Sequence, residues 1–330
     1  MIIIVHLFIN NLNFLVMKKT ILICVALLAL FTTFSSCSKQ DDDQYGGLLV
    51  ENHEELAKAD LMQELEAYNS NFLNNAFQTR SFFSWFKRFC RVAYVDAVGG
   101  IIGTLYGPWG TLAGAALSSG LVYCSDLVYV QPLPILTRGG GPILEDDDLE
   151  ELGFLVDMNP YAMDYVILSN PSGMFADSVG YNHNYILMNL AENNNLTSTD
   201  LGISQMVNLC CNKADSLTNN GRGNATNSDL LNLMNYYQLK SLCQNLMYHN
   251  SFDDFVDAFI NLYPQYSYEL NFIKSYINTL CNIEQDENDG TYAQGVLTTI
   301  SNSNVSNDLK KRLGDAVITG NASARLWKFD

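Results

Sequence analysis

His183 and Asn184, at the end of Asp177-Ser178-Val179-Gly180-Tyr181-Asn182-His183-Asn184, are the residues whose types could move a proton. A histidine titrates near neutral pH and serves as a general base or acid when a nucleophile or carboxylate lies within hydrogen-bond reach. The sequence nominates no such partner. It has no G-x-S-x-G elbow and no H-E-x-x-H pair. The expectation is a structural role: both side chains fall in the first turn of a helix over Tyr185–Glu192, where they satisfy free backbone amides or bond a neighbouring loop. His53 and His249 are isolated. No catalytic residue is assigned, and an enzymatic role is disfavoured.

Two acidic clusters could bind a cation. Glu145-Asp146-Asp147-Asp148-Leu149-Glu150-Glu151 lacks the spaced oxygen ligands of a calcium loop. Asp286-Glu287-Asn288-Asp289-Gly290 comes closer. With Gly290 sixth, however, the first position is Gln285 and the twelfth Val296, so both anchoring ligands fail. No metal and no cofactor is expected.

Ala97 to Ser125 carries no charge over 29 residues, and seven of these are glycine. Gly99, Gly103 and Gly107 are spaced by four, as are Gly110 and Gly114. On a helix that spacing aligns the glycines on one face, which lets a second helix approach backbone to backbone. Gly107-Pro108-Trp109-Gly110 interrupts the run as a turn, which makes a helical hairpin. Just before it, Phe82, Phe83, Trp85, Phe86 and Phe89 interleave with Arg80, Lys87, Arg88 and Arg91. Two readings stay open: the hairpin inserts into lipid behind this basic aromatic patch, or it forms the buried centre that amphipathic helices cover. In composition alone the hairpin resembles pore-forming peptides and two-peptide bacteriocins.

Lys18-Lys19 leads into the apolar run Thr20–Phe34 and then Ser35-Ser36-Cys37-Ser38-Lys39-Gln40-Asp41-Asp42-Asp43. This pattern resembles the signal and anchor of a bacterial lipoprotein. The resemblance implies that Cys37 becomes the lipidated first residue of the mature chain. It also implies that Lys39, Asp41, Asp42 and Asp43 act as the surface-export signal of Bacteroidetes lipoproteins. The expected location is the outer membrane, lipid-anchored and facing the exterior. Residues 1–36 are read as signal peptide, with 1–16 a misassigned start, since Met17-Lys18-Lys19 is the more natural beginning. A second likeness rests on Trp85-Phe86-Lys87, Asp96, the glycine ladder and the G-x-x-H-N of Gly180–Asn184. These are similar to elements of uncharacterised secreted Bacteroidetes proteins, and they imply no particular activity.

Lys18 and Lys19 are the two basic residues before Cys37. The remaining chain therefore carries 16 Lys+Arg against all 35 Asp+Glu, a formal charge of −19. So acidic a surface repels nucleic acid. The expected partners are the membrane, through the anchor, and a protein at the cell surface. With Cys24 in the signal and Cys37 lipidated, Cys90, Cys124, Cys210, Cys211, Cys243 and Cys281 remain. Outside the cytoplasm they can pair, but none forms a C-x-x-C, and the pairing is left open. Cys210, Cys243 and Cys281 fall on apolar helical positions and read as small buried hydrophobes.

The elements follow from periodicity. Residues 37–51 form the lipidated tether, and 52–130 hold the N-terminal helices with the hairpin. There Leu56, Leu61, Leu65, Tyr68 and Phe72 share one face of a helix over His53–Phe77. A loop and acidic linker spans 131–158. A C-terminal bundle of five to seven helices fills 159–330. Ser251 caps one helix that Pro264 stops, and Ser267 opens the next; Leu230, Leu233 and Tyr237 mark another face. The expected fold is mainly α: a multi-helix bundle with the glycine-rich hairpin in or against its core. The expected function is binding or structural, at the cell surface.

Overall fold

The computed structural model describes residues 43–75, 84–129, 178–194, 203–219, 221–244, 251–283 and 287–327. Among them there are helices and turns but no strand, so the fold is a mainly α multi-helix bundle. By its contacts the chain divides into residues 1–52 and a unit from His53 to Asp330, and the description below concerns the latter. Cys37, Lys39, Asp41 and Asp42, the acidic run 145–151 and the first part of the basic aromatic patch lie outside the described residues.

In chain order the helices are α1 (Asp43–Asn75), α2 (Ser84–Gly103), α3 (Gly107–Tyr129), α4 (Val179–Asn194), α5 (Ile203–Leu217), α6 (Asn227–Leu233), α7 (Tyr236–Gln244), α8 (Phe252–Leu262), α9 (Ser267–Leu280), α10 (Glu287–Asn302) and α11 (Asn307–Leu326). α1 begins at Asp43, within the stretch expected to be a tether, because extending an existing helix costs far less than nucleating one. Its buried face runs through Ala57, Leu61 and Leu65, whereas Leu56 is 63% exposed. The expected stripe was therefore one residue out of phase at its N-terminal end.

α2 and α3 form the hairpin. A short 3-10 turn, Thr104–Tyr106, joins them and ends on Gly107 with φ +66°, a left-handed conformation that L side chains rarely adopt. Gly107 has open space where a Cβ would go, so it is a turn residue and not part of the packed glycine face. The packing glycines are Gly99, Gly103, Gly110 and Gly114. A Cβ on Gly103 would collide with the Gly110 carbonyl, and one on Gly99 with the Gly114 carbonyl. Backbone thus lies on backbone, and every described side chain from Ala97 to Ile102 and from Trp109 to Leu121 is buried.

The partner that covers the hairpin is α11. From Leu313 to Ala324 every residue is buried, although the helix includes Asp315, Thr319, Asn321 and Ser323. Small residues make this possible: a Cβ on Gly320 would sit 3.7 Å from the Ala93 carbonyl, and one on Gly180 of α4 would sit 2.8 Å from the Ala322 Cβ. α8 closes the other side of α2. Ser251 caps it by accepting from the Asp254 amide at 3.0 Å, and Phe252, Phe255 and Phe259 pack their rings around Tyr94. Phe255 and Phe259, which are fully buried, contribute about 1.5–3 kcal/mol each.

The region after 158 holds eight α-helices among the described residues, more than the five to seven expected. The chain breaks at Met234–Asn235, with Asn235 at φ +48°, and α7 starts anew. That break shifts the phase: Tyr236 is buried and Tyr237 is 83% exposed, the reverse of the sequence reading. Cys281 also differs from expectation. It forms a disulfide with Cys90 across 191 residues, with Cα atoms 6.1 Å apart, and so joins the start of α2 to the end of α9.

Candidate functional site

Asp96 lies one turn before Gly99 on α2, on the side of the hairpin away from its turn. Ser119 on α3 donates its hydroxyl hydrogen to Asp96 Oδ2, and Ser323 on α11 does the same at 2.6 Å. His183 on α4 brings Nε2 to 3.4 Å from the same carboxylate oxygen and 3.3 Å from Ser119 Oγ. Its other nitrogen, Nδ1, lies 2.9 Å from Asn184 Oδ1, and the Asn184 amide donates to the Ala322 carbonyl at 2.9 Å. Four helices therefore meet at one carboxylate, and each sends a polar group to it or to its histidine.

The helix carrying His183 starts at Val179, earlier than the expected Tyr185. Both residues consequently sit past the first turn and face inward. They do not cap free amides or bond a loop. Asn184 binds a carbonyl of α11 and His183 a side-chain cluster, so the carboxylate and hydroxyl partners that the sequence did not nominate are present. In the sequence Asp96 stands out only as a residue ahead of the glycines. Ser119 and Ser323 were missed. The one sequence signal is that Ser118-Ser119 and Ser323 interrupt runs of small apolar residues, a weak mark that many helices carry.

Asp96, Ser119, His183, Asn184 and Ser323 are all fully buried. Asp96 Oδ1 and the nearby Ser118 hydroxyl have no hydrogen-bond partner among the described residues. The composition is that of an acyl-transfer site, with a hydroxyl, a histidine and a side-chain acceptor behind the histidine. The arrangement differs in two respects. The Ser119 hydrogen goes to Asp96 and not to the histidine, and all five side chains are closed off from solvent. Two open grooves lie elsewhere. One runs between α1 and the α10–α11 turn, lined by Asp60, Glu64 and Asn302 among others. The other lies on α4 and α5 around Leu190 and Lys213.

No known protein family, curated protein or solved structure matches the chain. Among the described residues, no group of three or more His, Cys, Asp or Glu could hold a metal ion, and no helix is long and apolar enough to cross a membrane. Cys210, Cys211 and Cys243 are buried thiols. Burial pushes the Cys211 thiol up to about 12, with Arg222 pulling weakly the other way, which removes it as a nucleophile at neutral pH.

Proposed function

We propose that the protein is a lipoprotein of the bacterial outer membrane, anchored through Cys37, facing the exterior and acting by binding or as a structural part of the cell surface rather than by catalysis. One observation carries the non-catalytic part. The hydroxyl, histidine and carboxylate that come together are all sealed from solvent, and a substrate must touch the groups that act on it. The Cys90–Cys281 disulfide supports an extracytoplasmic location, since such bonds persist in oxidising compartments. Lys39, Asp41, Asp42 and Asp43 support export to the outer face.

Metabolic labelling with an alkynyl fatty acid tests the anchor: the wild type should be marked and Cys37→Ala should not. Equal labelling of both would refute it. Protease added to intact cells tests the orientation, because a protein cut only after lysis faces the periplasm.

The second reading, a membrane-active effector, draws on the uncharged hairpin. Against it stands Asp96, which would have to leave three hydrogen-bonding partners and enter lipid with α2; a carboxylate at the bilayer centre costs about 2.5–3.5 kcal/mol even on the mildest scale. Liposomes loaded with dye should not leak when the unlipidated domain is added. Leakage abolished by Gly103→Leu at unchanged helicity would favour insertion.

A further inference from the structure

We propose that Asp96 and His183 share a single buried proton between Oδ2 and Nε2, and that this shared proton is the latch closing the glycine hairpin onto α4 and α11. The assignment follows from counting donors. Asn184 uses its amide hydrogens toward the Ala322 carbonyl, so its Oδ1 is the atom turned to His183. His183 Nδ1 must therefore be a donor there. Ser119 and Ser323 each own one hydroxyl hydrogen, and both hydrogens are spent on Asp96 Oδ2. Around Nε2 there remain a carboxylate oxygen at 3.4 Å and a serine oxygen whose hydrogen is committed. Both are acceptors. A neutral imidazole protonated at Nδ1 would point a lone pair at two oxygens inside a fully buried cluster. One further proton resolves the contact. That proton sits on Nε2 and points at Asp96 Oδ2, so it belongs to the pair.

Other ionisable groups on these helices do not supply that proton. α3 offers only hydroxyls at this level among its described side chains. On α4, Tyr185 turns away toward Lys213 of α5, whose ammonium lies 4.8 Å from its ring centre. On α11, the Arg325 guanidinium lies toward Gly290 of α10, and Asp315 is two turns earlier than Ser323 and brings another carboxylate rather than a donor. The pair is thus electrically closed, and among the described residues it is the one ionic contact between the hairpin and α4. Removing the proton would leave a lone carboxylate facing a lone pair at the junction of four helices, which drives that junction apart.

The test uses the full chain labelled with nitrogen-15 and read by side-chain nuclear magnetic resonance at neutral pH. His183 should show protons on both ring nitrogens, and Asp96→Asn should reduce it to one while amide exchange along α4 and along Leu313–Ala324 of α11 accelerates by roughly two orders of magnitude. Ser118→Ala, next to the cluster but outside its hydrogen bonds, should change neither reading. His183 with one ring proton in the wild type would overturn the shared proton. Unchanged exchange in Asp96→Asn would overturn the latch. If Asp96→Asn does not fold, the wild-type ring spectrum and Ser323→Ala, which removes one donor and keeps the pair, decide the matter: the second ring proton should persist in Ser323→Ala.

Discussion

The two ends of the α2–α3 hairpin are closed by opposite means. Next to the turn, Gly103 faces Gly110 and Gly99 faces Gly114, and the helices meet because no side chain stands between them. One turn further from it, Asp96 faces Ser119, and the contact is made by side chains that need each other, with His183 brought in from 64 residues beyond Ser119 and Ser323 from 227 beyond Asp96. The glycine end depends on shape alone and could close in an isolated hairpin. The aspartate end is satisfied only when α4 and α11 are in place. A hairpin built this way has its crossing set locally and its position in the bundle set by long-range polar contacts, and such contacts favour one arrangement over its near neighbours.

Gly103→Leu should have the largest effect. The obstructing atoms are the Gly110 carbonyl, which cannot rotate aside, so the loss should reach about 5 kcal/mol or more, beyond ordinary overpacking. Denaturant unfolding followed by circular dichroism measures it; a loss within about 1 kcal/mol would mean the helices are not in backbone contact. Asp96→Ala should cost about 3–5 kcal/mol, because it strands His183 and two hydroxyls in the core. Its signature should differ from that of the glycine mutant: α4 and α11 should lose protection while the glycine crossing persists longer.

A smaller effect comes from alkali at the glycine end, where Trp109 donates to the Cys211 carbonyl at 3.0 Å. The Cys211 thiol is raised to about 12 in the fold against about 8.5 in an unfolded chain. Its contribution is fully present below the unfolded value and is lost as pH rises from there toward 12, by a few kcal/mol at most. Melting temperature against pH should fall more gently in Cys211→Ala than in the wild type. Parallel curves would show that the thiol plays no part.

How much of this was legible in the sequence divides along the same line as the two ends. The helical class, the hairpin and the limits of α8 were readable because each rests on local chemistry: four-residue spacing, the Ser251 cap, the stop at Pro264. Errors arose where a helix broke or ended unseen. Asn235 shifted the phase so that Tyr236 and not Tyr237 faces inward, and Gly107 became the turn's left-handed residue rather than a fifth packing glycine. The cluster itself could not be read. Nothing local about Ser119 or Ser323 says that they will meet Asp96, and α11 is buried because neighbours enclose it, not because its own sequence is apolar.

The most direct test of a sealed, non-catalytic centre is a fluorophosphonate probe, which reacts with an accessible serine activated by a neighbouring base. The folded wild type should remain unlabelled at Ser119 under conditions that label an ordinary serine hydrolase. Stoichiometric labelling of Ser119, abolished in His183→Ala that remains folded, would contradict the sealed centre and make this cluster an active site.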